Sequence, residues 1–182
     1  PDHTLPSSSA QGRRWSWDQR DRGNHVYNVP GATQRIGPVN LQAMQTALDA
    51  LVARDESLRS YCELSAGEPV LRISAADALR VRIEQKSCNS EQLQAELTRL
   101  AQHPFALDRG PLVKVTLLQL ETNRYVMHVV MHHIIGDAWS TNEFQLEFAA
   151  LYKAAQSGPA AAFPAPPVQH GDLAVLHSPP PR

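Results

Sequence analysis

The sequence has little cysteine, no bilayer-length apolar run and almost no net charge, and each lack closes off a class of protein. Two cysteines, Cys62 and Cys88, are too few for a disulfide framework or a cysteine-based zinc site. They read as small packing residues, and a reducing, cytoplasmic setting is the default expectation. The longest apolar stretches are broken by His, Lys or Gln, so no transmembrane span is expected. Residues 1–10 carry no basic region followed by an apolar one, so no secretory signal is visible. The first residue is proline, not methionine, which reads as a processed or excised piece. With 17 Lys+Arg against 18 Asp+Glu, nothing points to a polyanionic partner, and nucleic-acid binding is not expected. No internal repeat is present. The 182 residues suit one ordinary domain or one layer of a larger one, and 42% hydrophobic content permits a core.

Residues 1–9 read as an extended leading segment, followed by a Trp15/Trp17 pair suited to anchoring. Residues 24–36 read as an extended stretch in which Pro30 marks an edge or a bulge. Asn40 is a helix cap, and Leu41, Met44, Leu48, Leu51 and Val52 follow at helical spacing, predicting a helix over 41–58. Residues 68–73 and 79–85 read as short strands. Asn89 or Ser90 caps a second helix over 90–102, stopped near Pro104. Residues 112–120 and 124–131 flank Glu121-Thr122-Asn123 and predict a β-hairpin. Ser140-Thr141-Asn142-Glu143 has the form of a capping box. Phe144, Phe148, Leu151, Tyr152 and Ala155 then predict an amphipathic helix over 141–157. Residues 159–182 hold half of the fourteen prolines and read as a crossing linker with a short ordered patch at 171–176.

Chemistry concentrates in Met131-His132-His133-Ile134-Ile135-Gly136-Asp137-Ala138-Trp139-Ser140. Neighbouring side chains on a strand point to opposite faces, so His132 and His133 do different jobs. One faces a reaction space and the other packs or hydrogen-bonds behind it. An imidazole takes a proton near neutral pH. Asp137 lies four residues beyond His133 and either holds it directly or anchors the connector by an ion pair. A lone His-x-x-x-Asp is more often structural than catalytic, and no convincing third metal ligand accompanies it.

The stretch resembles the His-His-x-x-x-Asp-Gly signature of nonribosomal peptide synthetase condensation domains, within the chloramphenicol-acetyltransferase-like superfamily. Other segments follow in the family's order: Ser8 to Trp15 resembles Ser-x-Ala-Gln-x-Arg-Leu-Trp, and Arg54 to Arg59 resembles Arg-His-Glu-x-Leu-Arg. His170 to Leu176 resembles Tyr-x-Asp-Tyr-Ala-Val-Trp more weakly. Tyr27 to Pro30 and Pro104 to Leu112 also read like the family. The resemblance runs along essentially the whole chain but covers about half of the family domain.

That resemblance implies an α/β (α+β) two-layer sandwich, the N-terminal lobe of a chloramphenicol-acetyltransferase-like fold, with a mixed or antiparallel sheet and the helices on one side. Residues 1–158 would be the lobe, and 159–182 a crossover toward a missing C-terminal lobe. It implies amide-bond formation between two carrier-bound thioesters, with His133 catalytic and His132 supporting. Asp137 would be structural, paired to Arg54 or Arg59, and Ala138, Trp139 and Ser140 would complete the motif. No cofactor or metal of its own is implied; the phosphopantetheine arms belong to upstream and downstream peptidyl carrier proteins. Further partners would be the C-terminal lobe and an adenylation domain, with no membrane. Departures are Ala138 in place of the motif glycine, Asp55 in place of histidine, and Arg14, Cys62 and Leu176 in place of large apolar residues. Asp55 beside Arg54 would draw it from Asp137, leaving Arg59. Two alternatives stand: a degenerate, non-catalytic docking lobe, and a related epimerising or CoA-dependent acyltransferase. The lobe alone is expected to be inactive and to self-associate.

Overall fold

The computed structural model describes residues 2–7, 9–136 and 138–157. The predicted linker at 159–182, with its ordered patch, lies outside the described residues. In chain order the elements are β1 (His3–Pro6), α1 (Ser9–Asp18), β2 (Asn28–Ile36), α2 (Leu41–Arg54), a 3-10 helix (Glu56–Arg59), β3 (Ser60–Ser65), β4 (Glu68–Ile73), β5 (Ile83–Ser87), α3 (Leu93–Ala101), β6 (Val113–Glu121), β7 (Arg124–His132) and α4 (Ala138–Ser157).

The strands form two sheets. One is a small antiparallel sheet in the order β1-β4-β3. The other, in the order β2-β7-β6-β5, is mixed: β5 runs parallel to β6 and the remaining pairs are antiparallel. The β6–β7 hairpin is its centre. Asn123 closes the turn at φ 61°, a left-handed conformation that asparagine tolerates. β2, with Pro30 inside it, is an edge strand as the proline requires.

α2 begins where Asn40 accepts a hydrogen bond from Ala43 N at 3.0 Å, as its cap position predicts. Met44, Leu48 and Leu51 then fall on one face and are fully buried. α4 buries Phe144, Phe148 and Tyr152 as a ridge of near-parallel rings against the same core. The two helices are joined at their ends: Asn40 N donates to the Tyr152 hydroxyl at 2.9 Å. α4 also lies directly on β2 at Gly31, where a methyl group would stand 2.5 Å from Gln145 Nε2 and 2.7 Å from Thr141 Cγ2. A side chain at 31 would require Gln145 and Thr141 to move aside.

Several expectations change. The helices do not all lie on one side. In the register of β6 and β7, Val113, Val115 and Leu117 pair with Met131, Val129 and Met127, and these face the α2–α4 core. Leu118 and Val126, on the other face, pack with Cys88 and Leu100 beneath α3. α3 is held there by Asn28, whose Nδ2 donates to the carbonyls of Ala101 and His103, each at 2.8 Å. The leading segment is not simply extended: it contains β1 and runs into α1, which buries Trp15 and leaves Trp17 half exposed. α4 starts at Ala138, so Ser140 sits inside its first turn and the capping box does not open the helix. α3 begins at Leu93, three residues later than expected, because Asn89 instead closes a turn by accepting from Gln92 N at 2.8 Å. β5 is shifted to Ile83–Ser87, and β3 was not anticipated. Both cysteines are buried and free; burial pushes the Cys62 thiol up to about 12, so it stays protonated and inert.

Candidate active site

β7 ends at His132, and the chain then turns through His133, Ile134 and Ile135 before α4. The two imidazoles part as alternation requires. His132 is 1% exposed, under the ring edges of Tyr27 and Phe105 at 6.2 and 6.4 Å. Its Nδ1 accepts a hydrogen bond from Ile134 N at 3.1 Å, which a proton on that nitrogen would abolish. Burial, with smaller contributions from neighbouring His133 and Arg14, lowers the His132 pKa to about 4. His132 is therefore neutral, carries its proton on Nε2, and braces the turn.

His133 is half-buried at the end of the central hairpin. Its Nδ1 is buried with no hydrogen-bond partner among the described residues. The backbone around it is held from several directions. His132 N donates to Leu112 O at 2.9 Å, His133 N to Tyr27 O at 2.8 Å, and Ile135 N to His132 O at 3.1 Å. From α1, Gln11 Nε2 donates to Ile134 O at 3.1 Å and Arg14 Nη1 to His133 O at 3.4 Å.

Asp137 lies outside the described residues, and with it the expected pairing to an arginine. The two arginine candidates are nevertheless far from equivalent. Arg54 ends α2 and forms an ion pair with Glu147 of α4, the helix that follows the site. Arg59 is buried on the 3-10 helix, where it donates to Ser74 O and pairs with Glu56 at 3.4 Å. Asp55 Oδ1 accepts from Ser57 N and Ser57 Oγ at 2.9 and 2.8 Å and caps the 3-10 helix. Ala138, Trp139 and Ser140 form the first turn of α4. The right-handed helix is a conformation that alanine takes readily, so replacement of the motif glycine creates no backbone strain there. His128, on the same strand, is buried away from His133; it joins no metal cluster, and the described residues contain none. No helix among them is long and apolar enough to cross a membrane.

Sequence reasoning missed the grip of Gln11, Arg14 and Tyr27. The opening motif contains Gln11, but nothing in the spacing says that it reaches a carbonyl 123 residues away. Beside Arg14 opens a groove of about 800 Å³ whose lining includes Arg13, Arg20, Trp17 and Tyr27.

A His pair thus stands at the end of the central hairpin of a mixed-sheet lobe, one imidazole neutral and braced and the other half-open. The condensation domain family model matches residues 2–177, and the chain belongs to that family. It is 35% identical to chondramide synthase cmdD from Chondromyces crocatus over 174 residues, which are 93% of this chain and 4% of that protein. Its structure is similar to the X-domain in a complex with OxyB from teicoplanin biosynthesis, with a TM-score of 0.86 and 26% identity over 95% of this chain and 37% of that one. It is also similar to the first condensation domain of the calcium-dependent antibiotic synthetase in complex with a substrate analogue. There the TM-score is 0.77 and the identity 25%, over 88% of this chain and 40% of that one. The fold is chloramphenicol-acetyltransferase-like, and the chain spans under half of each solved domain and a small fraction of the curated relative.

Proposed function

We propose that this chain is the N-terminal lobe, residues 1–158, of an amide-bond-forming condensation domain, and that 159–182 cross toward a C-terminal lobe. The observation that carries the reading is the held turn: His133 is half-open, beside a His132 that stays neutral, with its backbone gripped from α1 and from the segments just before β6 and β2. The substrates are two thioesters on phosphopantetheine arms, an acyl or peptidyl donor and an aminoacyl acceptor, each delivered by a peptidyl carrier protein. The acceptor amine attacks the donor carbonyl, a C–N bond forms, and the C–S bond breaks. With Nδ1 buried, His133 meets the amine through Nε2. It takes the amine's proton or orients the amine and stabilises the developing positive charge. A neutral amine is already a good nucleophile, so fixing its approach supplies much of the rate.

Arg54 is the better candidate partner for Asp137, because its ion pair already ties it to α4. The helical backbone at Ala138 and the intact grip on His133 support catalysis over a docking-only lobe. A carrier-bound substrate also fits the synthetase relatives better than a CoA thioester does. The lobe alone supplies one wall of a tunnel and exposes Val26, Ile36 and Leu146, so by itself it is inactive and self-associating.

The test uses the intact parent domain with both loaded carriers, followed by mass spectrometry of the acceptor arm. Transfer by the native domain that drops about a hundredfold or more in His133→Ala supports the reading. Absence of transfer by the native domain over a range of loaded substrates overturns it.

A further inference from the structure

A turn between a strand and a helix has peptide groups that no regular ladder satisfies. In the turn at His133 the N–H groups are accounted for by other partners: His133 donates to Tyr27 O, Ile134 to His132 Nδ1, and Ile135 to His132 O. The carbonyls of His133 and Ile134 are taken by side chains instead, and both side chains come from α1. Gln11 and Arg14 are three residues apart, so they share one face of that helix. Trp15, one position further on, is buried in the main core and fixes where that face points.

Gln11 is 2% exposed. A primary amide at such a place is costly unless it is hydrogen-bonded, so the Ile134 carbonyl accounts for a glutamine where an apolar residue would pack as well. The His133 ring has its Nδ1 buried without a partner among the described residues. The backbone that carries the ring is therefore one determinant of its direction, and α1 holds that backbone.

We propose that Gln11 and Arg14 are positioning residues: through the carbonyls of Ile134 and His133, α1 holds the turn so that the His133 imidazole points into the reaction space. The proposal rests on the amide-forming reading above. Neither residue touches the reacting atoms; both act through the peptide that presents His133.

The test uses the intact condensation domain with both loaded carriers, and three variants. Gln11→Met keeps length and burial but removes the donor; Arg14→Leu removes the guanidinium; Arg14→Lys keeps a cationic donor. In Gln11→Met, kcat falls about tenfold while the acceptor KM stays within about twofold. Arg14→Leu falls by a smaller factor, about threefold, and Arg14→Lys recovers most of that loss. Hydrogen exchange rises in the peptide covering 131–136 of Gln11→Met, and exchange in α2 does not change. An unchanged kcat alongside faster exchange overturns the positioning role. So does a loss of kcat accompanied by faster exchange throughout the domain, because that is general destabilisation. If the native domain transfers nothing, the amide-forming reading falls, and the exchange measurement alone decides the clamp: a local rise supports it and no rise overturns it.

Discussion

The two faces of the four-stranded sheet are built differently. The face toward α2 and α4 is apolar at its centre: Met127, Val129 and Met131 pack in one core with Met44, Leu48 and Phe148, and all are essentially inaccessible. The face toward α3 buries polar groups among its apolar ones. Thr116 and His128 sit directly opposite each other there, 0% and 2% exposed, and Thr116 Oγ1 and His128 Nδ1 have no hydrogen-bond partner among the described residues. His132 is on that face as well. One face contributes cohesion. The other carries the titratable groups, and its strand delivers His133 to the open end.

The largest effect should come from the apolar face. Phe148→Ala removes the middle ring of the α4 ridge and should cost about 3–5 kcal/mol in denaturant unfolding. A cost below about 1 kcal/mol would mean that this face is not the main source of stability.

The polar face should show itself in acid. Burial lowers both His128 and His132 from 6.5 to about 4. The unfolded chain therefore binds protons between those values while the folded one does not, and stability falls as pH drops from 6.5 toward 4. The slope is about 1.4 kcal/mol per pH unit for each histidine. His128→Leu should remove about half of that slope in a urea series, and should not lower stability at pH 7, because it also removes an unsatisfied buried nitrogen. An unaltered slope in that variant would mean that other groups control the acid response.

The smallest effect concerns the join between the helices. Arg54 and Glu147 are only partly shielded, 15% and 37% exposed in their side chains. A double-mutant cycle with Arg54→Ala and Glu147→Ala should give a coupling of about 1 kcal/mol or less. A much larger coupling would place electrostatics beside packing on the apolar face.

The β6–β7 hairpin, α2 with its Asn40 cap, the edge position of β2 and the burial of the α4 ridge were legible from local pattern alone. α1 was not. It is a polar helix whose buried positions among the described side chains are Gln11, Trp15 and Asp18, so no apolar stripe announces it. The side on which α3 lies was equally hidden. Periodicity tells which residues are apolar, but the choice of sheet face depends on the register of β6 against β7 and on Asn28 reaching past its own strand. In the site, His133 and His132 were legible because adjacent strand residues must diverge. The hydrogen bonds that hold them were not, because their donors lie more than a hundred residues away.

That separation also orders events during synthesis. β2 has one neighbour, β7, and the nearest paired residues, Ile36 and Arg124, have roughly ninety residues between them. A ribosome needs on the order of 5–20 s to add that much chain. Throughout that interval β2 has left the exit tunnel with both edges bare, able to recruit the same segment of a neighbouring nascent chain. Pro30 withholds one N–H from any such pairing, and Gly31 offers no side chain to grip. The glycine that lets α4 lie flat on the finished strand thus also protects the strand while it waits for its partner.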